Sequence, residues 1–150
     1  PVPLPENNSE NKRILKAVKT RKYDVVWIDK SVTINASTLK AVKGKQPQAI
    51  LVSYSPDNMA LRHNQSYNYL KCIPLYDYLV TNKSYIIDDM KKLGAKNVIF
   101  VNNTFEPSFH YPQELSSEDL KRLGADVGFV GSWEQERADS ILYLASHGIS

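Results

Sequence analysis

Asp57 stands at the head of a polar loop, Asn58 to Gln65, that carries His63 and lies between an apolar strand-like run and a helical one. A carboxylate or an imidazole at such a loop can take a proton from a hydroxyl nucleophile, so these two residues are the candidates for acid–base work. A second constellation lies near the C-terminus, where Gly131-Ser132 follows the apolar run Asp126 to Val130 and precedes a helical stretch containing Arg137. Glycine lets an anion approach the backbone, and a helix start aims free N–H groups at it. Arg137, one turn further on, has the fork geometry that grips a diphosphate. Both constellations also have a plain structural use. Asp and Asn cap helices, Ser55-Pro56-Asp57-Asn58 is turn chemistry, and any strand-to-helix turn favours Gly and Ser.

Other chemistries lack their residues. His63, His110 and His147 show no paired spacing on a helix, and Cys72 is the single cysteine. Neither pattern makes a metal cage, so no metal ligands are assigned. Asp88-Asp89 are adjacent in a helical run, which is not the spaced pair that bridges a metal to a diphosphate. No Gly-x-Gly-x-x-Gly or Gly-x-x-x-x-Gly-Lys-Ser/Thr occurs, which argues against a dinucleotide cofactor and a P-loop. No bound cofactor is expected.

The chain has 150 residues and a net charge of +3, with its basic residues scattered in pairs such as Lys12-Arg13, Lys91-Lys92 and Lys121-Arg122. A nucleic-acid stripe would gather them on one face among aromatics, so no nucleic-acid partner is expected. No apolar run approaches the roughly 20 residues that span a bilayer, and no signal peptide is visible. Cytoplasm is the expected compartment. Five Asn-x-Ser/Thr triplets occur, but they carry meaning only in a secreted chain.

Helical and extended patterns alternate along the chain. Helices are predicted over Ser9–Lys22, Asn35–Lys43, Gln65–Ile73, Lys83–Leu93, Ser116–Leu123 and Ser132–His147. Strands are predicted over Tyr23–Asp29, Gln48–Tyr54, Tyr76–Thr81, Asn97–Val101 and Asp126–Val130. Gly44 reads as a left-handed helix stop, and Ser132 with Gln135 as a capping box. Lys92-Leu93-Gly94-Ala95 and Arg122-Leu123-Gly124-Ala125 read as two helix exits of one design. Continuous apolar strands alternating with helices predict an α/β fold, a Rossmann-like parallel sheet with helices on both faces. Ligands of such a sheet meet the residues just past the strand ends. These are Asp29-Lys30-Ser31, Ser55 to Asn58, Thr81-Asn82-Lys83, Asn102-Asn103-Thr104 and Gly131-Ser132. A helix precedes the first strand, as if an opening strand were cut away, and the last strand–helix unit reads as the start of a second domain.

The order of these pieces resembles the two-domain GT-B glycosyltransferases, closest to the group related to the spore-maturation (CgeB-type) proteins. The segments that carry it are Tyr76-Asp77-Tyr78-Leu79-Val80-Thr81-Asn82-Lys83-Ser84-Tyr85 and Leu93-Gly94-Ala95-Lys96-Asn97-Val98. They continue with Phe105-Glu106-Pro107-Ser108-Phe109-His110-Tyr111-Pro112 and Asp126 to Ser132 with Glu136-Arg137. The set covers about half of the chain, from Tyr76 to Gly148, and Tyr23 to Asn68 fits more loosely.

The resemblance implies an N-terminal acceptor-side domain over residues 1–112 and, over 113–150, a linker helix with the start of a truncated donor-binding domain. It implies a nucleotide-sugar co-substrate, a glycan or other hydroxyl acceptor, and no bound metal. On that reading Asp57 or His63 serves as the acceptor-side base, and Gly131, Ser132 and Arg137 contact the donor diphosphate. The fragment alone is then inactive, and its exposed second-domain strand favours self-association. A non-catalytic module stays open as the alternative. A receiver-like domain would place Asp57 and Thr81 at successive strand ends, and a sugar-binding lobe would use aromatics such as Tyr54 and Trp133.

Overall fold

The computed structural model describes residues 8–30 and 32–149. The chain divides between Thr104 and Phe105 into two compact units.

The first unit opens with α1 (Asn8–Thr20), followed by β1 (Val25–Asp29), α2 (Ala36–Lys45) and β2 (Ile50–Ser55). It continues with α3 (Tyr67–Cys72), β3 (Tyr78–Thr81), α4 (Ile87–Lys92) and β4 (Val98–Phe100). Single 3₁₀ turns at Arg62–Asn64, Ile73–Leu75 and Ser84–Ile86 join these elements. The four strands form one parallel sheet in the order β1-β2-β3-β4. The Rossmann-like α/β class predicted from the alternating pattern is the fold observed.

The second covered face is the detail that differs. Each crossover steps one strand further in the same direction, and connections of one hand then lay α2, α3 and α4 on a single face. That face holds the core, where Leu51 and Leu79 from the sheet meet Leu39, Val42, Tyr69, Cys72, Ile86 and Met90 from the helical side. On the other face Val25, Trp27, Ile50, Tyr78 and Ile99 stay 37% to 53% exposed. Strand composition shows that both faces are apolar, but the order of the strands decides which face this unit covers.

Buried polar side chains brace the helices. Asn11 on α1 donates to Thr33 O at 3.1 Å and accepts from Asn35 N at 2.9 Å and Thr38 Oγ1 at 2.6 Å. Gln46, 4% exposed, donates to Val18 O and Arg21 O and accepts from Tyr23 N. Gln46 therefore ties the end of α1 and the entry to β1 to the end of α2. Gly44 is not the stop predicted for it, because α2 runs through it and Gln46 takes the cap. Gly94 does end its helix in a positive-φ conformation, at +100°. Its φ turns the chain back so that Ala95 N–H bonds Met90 O at 3.1 Å and β4 can pair with β3.

Asp77, at the entry to β3, accepts from Leu51 N at 2.8 Å and from Lys43 Nζ at 2.7 Å. Burial alone would raise its pKa. The hydrogen bonds from Lys43 and Leu51, with the charges of Lys43 and Lys96, outweigh burial and hold it below the ordinary Asp value.

The second unit contains α5 (Ser117–Leu123) and α6 (Gln135–Ser146). Ser116 caps α5 by accepting from Asp119 N at 3.1 Å. The strand predicted over Asp126–Val130 is not formed. A strand needs a neighbouring strand to complete its ladder, and that run joins no sheet among the described residues. The exit at Gly124 accordingly lacks the positive φ of its sequence twin, because no chain reversal into a sheet is required there. With the strand goes the reason to expect self-association through it; the unpaired edges among the described strands are those of β1 and β4.

Candidate functional site

The C-terminal edge of the sheet gathers four of the five exits predicted from sequence; Ser31 of the first lies outside the described residues, and Gly131-Ser132 follows no strand. Strand β1 leaves through Lys30, whose φ of +39° is the one positive value at a described non-glycine residue. That conformation costs an L-residue roughly 1–2 kcal/mol and is often found where a side chain must be aimed. Here Lys30 N–H still bonds Tyr54 O at 2.8 Å, extending the β1–β2 ladder, while its Nζ lies 2.6 Å from Asp57 Oδ2. Asp57 N–H donates in turn to the buried Ser55 Oγ at 3.2 Å. Asp57 is therefore held at its backbone by Ser55 and at its carboxylate by the cation beyond the neighbouring strand. Oδ1 makes no hydrogen bond among the described residues.

The loop beyond is stitched by amides. Asn58 Oδ1 accepts from Ala60 N at 3.1 Å, and Asn64 Nδ2 donates to Asn58 O at 2.9 Å. Gln65 Nε2 reaches Met59 O and Ala60 O. His63 rides on the 3₁₀ turn of this loop and is exposed. No hydrogen bond joins it to Asp57. The two acid–base candidates share a loop, but the partner of Asp57 is Lys30.

At the β3 exit, Thr81 Oγ1 accepts from Lys83 N at 3.2 Å and Thr81 O from Val101 N at 2.9 Å. Asn82 Nδ2 donates to Asn103 Oδ1 at 2.6 Å, linking the exits of β3 and β4. The buried Asn82 Oδ1 has no hydrogen-bond partner among the described residues.

Beside this edge, on the face away from the helices, lies a cavity of ≈ 420 Å³ lined by Trp27, Tyr54, Val80 and the Val101–Thr104 segment. The rings of Trp27 and Tyr54 stand 5.9 Å apart and 33° from coplanar. Trp27 Nε1 donates to Asp29 Oδ1 at 2.7 Å, which fixes the indole. A larger hollow of ≈ 510 Å³ opens between α1 and the free edge of β1, with Glu10, Arg13 and Asp29 on its rim.

In the second unit Gly131, Ser132 and Arg137 do line one cavity, of ≈ 200 Å³, with Phe129, Trp133 and Glu134. The anion-binding geometry predicted for them is not present. The helix begins at Gln135 rather than Ser132, and the N-cap position is Glu134, whose side chain makes no cap bond. The guanidinium of Arg137 is occupied, by Ser132 O at 3.1 Å, by Glu134 Oε1 at 3.3 Å and by the Phe129 ring at 5.6 Å from its centroid. The three residues meet beside the first turn of α6, but Ser132 does not cap it.

Cys72 is buried beneath α3 and donates to Ile34 O at 3.2 Å. Burial pushes its thiol up to about 12, so it is a core residue rather than a nucleophile. Among the described residues no cluster of His, Cys, Asp or Glu is placed to hold a metal. No helix there is long and apolar enough to cross a membrane.

The Lys30–Asp57 pair and the Trp27–Tyr54 pair are what residue types alone did not reveal. The signal for the aromatic pair is parity, since Trp27 and Asp29 point to one face of β1 and the register sets Asp29 beside Tyr54. Comparison with family models, with curated proteins and with solved structures finds no match to this chain.

Proposed function

We propose that this chain is the acceptor-side domain, with the opening of the donor-side domain, of a GT-B-type glycosyltransferase. The complete enzyme would move a sugar from a nucleotide-sugar to a hydroxyl acceptor in polysaccharide or glycoconjugate assembly. The observation that carries the reading is Asp57, held by Lys30 at the C-terminal edge of a parallel Rossmann-like sheet. The ordered segments from Tyr76 to Gly148 supply the family resemblance.

On this reading Asp57 Oδ1 accepts the proton of the acceptor hydroxyl as that oxygen attacks the anomeric carbon. The nucleotide of the donor leaves with the bonding electrons. Lys30 is then a positioning residue for the carboxylate, and His63 the second candidate for the base. Gly131, Ser132 and Arg137 meet the diphosphate once the 126–130 run is paired, with Arg137 exchanging its Ser132 and Glu134 contacts for phosphate oxygens.

The test is a thermal-shift titration of the protein made from its complete reading frame. UDP-, GDP-, dTDP- and CMP-sugars are compared with ATP and NAD. Stabilisation by one nucleotide-sugar class supports the reading and names the nucleotide. Absence of a shift with every nucleotide-sugar removes it in favour of a non-catalytic binding module.

A further inference from the structure

The cavity on the open face of the sheet has two chemically different walls. One is aromatic, with the 53%-exposed Trp27 and Tyr54 forming a shallow trough. The other is a row of amides and a hydroxyl, Asn102, Asn103 and Thr104, all exposed. The side chains of Asn102 and Thr104 make no hydrogen bond among the described residues, and neither does Asn103 Nδ2. Asn103 is nonetheless held in place, since its Oδ1 accepts from Asn82. Trp27 is held by Asp29. One residue of each wall, Trp27 and Asn103, is thus pre-set, which limits the ordering entropy lost on binding.

A pyranose ring has the matching anisotropy. Its C–H face is apolar and packs on an aromatic face, while its rim of hydroxyls both donates and accepts. Amides answer such hydroxyls because each carries donors and an acceptor. The lining has no charged side chain, so an anionic ligand such as a free nucleotide finds no counter-charge. At ≈ 420 Å³ the space falls within the range of small-ligand sites.

We infer that Trp27, Tyr54, Asn102, Asn103 and Thr104 form a saccharide-binding shelf, with one sugar ring stacked on Trp27 and its hydroxyls read by the Asn102–Thr104 row. This goes beyond the proposed transfer reaction and does not require it. If transfer also occurs, the shelf holds part of a glycan acceptor.

Trp133 is the other tryptophan, so Trp133→Phe leaves Trp27 as the sole indole reporter. The emission of this variant is titrated with glucose, N-acetylglucosamine, maltose and cellobiose, and with adenosine as a planar-ring control. Asn103→Ala and Trp27→Ala are tested by saturation-transfer NMR, with circular dichroism confirming their fold. A saturable change with a saccharide, weakened about tenfold or more by Asn103→Ala, is the expected result.

A response to adenosine without any to saccharides overturns the inference. So does silence with all ligands, or concentration-dependent burial of Trp27 against a second copy of the chain. Saccharide binding without nucleotide-sugar binding removes the transferase and leaves the shelf. Transfer with an acceptor KM unchanged by Trp27→Ala and Asn103→Ala removes the shelf and leaves the transferase.

Discussion

Lys30 Nζ sits 2.6 Å from Asp57 Oδ2, and the backbone that delivers it there is in the left-handed region, at φ +39°. The lysine side chain is 56% exposed and the aspartate 37%, so the pair adds little to stability. A strained residue serving a weak ion pair is arranged for position rather than for folding energy.

Lys30→Gly and Lys30→Ala separate these two roles. Glycine relieves the strain and loses the pair, so its urea midpoint is expected at or above that of the parent. Alanine keeps the strain and loses the pair, so its midpoint falls slightly, by the equivalent of about 0–1 kcal/mol. Both variants are expected to lower the activity of the complete protein if Lys30 orients Asp57. Full activity in both would leave the pair without a functional role.

Asp57→Ala in the complete protein is expected to lower kcat for transfer by about 10²- to 10⁴-fold, the usual contribution of a general base. His63→Ala, at an exposed turn, is expected to change kcat little. The reverse order would move the base to His63.

Asp77 sets an acid limit on stability. Its folded-state pKa lies below the unfolded value, so its contribution is present above the unfolded Asp pKa, about 3.9, and is lost as pH falls through the folded value. Asp77→Asn should flatten this acid limb in urea unfolding measured from pH 2.5 to 7. Asp77→Ala, which also removes the acceptor for Leu51 N–H, should cost about 1.5–3 kcal/mol at pH 7.

The same substitution at two glycines should have opposite signs. Gly44 lies inside α2 with open space where a Cβ would go, so Gly44→Ala should stabilise by about 0.5–1 kcal/mol. At Gly94 a Cβ meets only Pro74 Cβ, at 3.8 Å, but the φ of +100° is costly for alanine. Gly94→Ala should destabilise by about 1–2 kcal/mol. Equal Tm changes at the two sites would contradict both assignments.

Cys72 should resist alkylation at pH 8 in the native protein and react quickly once urea unfolds it. Its burial both shields it and disfavours the thiolate. Rapid native-state labelling would mean that α3 opens locally.

Much of the fold was legible from local chemistry. The apolar runs at Val25–Ile28, Ile50–Val52 and Leu79–Val80 mark strands, and Ile86 with Met90 marks an inward helix face. Those patterns are legible because strand and helix periods act over a few residues. Gly44 misled because the cost of a glycine inside a helix, about 0.5–1 kcal/mol, is small enough for the packing of α2 to override. The right stop was Gln46, whose value lies in partners on α1 and at the β1 entry.

The Asp126–Val130 run carries a strand's composition, yet it forms no strand, because a ladder is a relation between two segments. With it went the helix start at Ser132 and the anion geometry expected of Gly131, Ser132 and Arg137. The sequence by itself determined the element types of the first unit, the parallel α/β class and the polar character of the sheet's C-terminal edge. Only the tertiary structure decided that Lys30 is the partner of Asp57, that Trp27 and Tyr54 stand side by side, and that α2, α3 and α4 gather on a single face. Those relations depend on strand order, crossover direction and register, which bring together residues far apart in the chain.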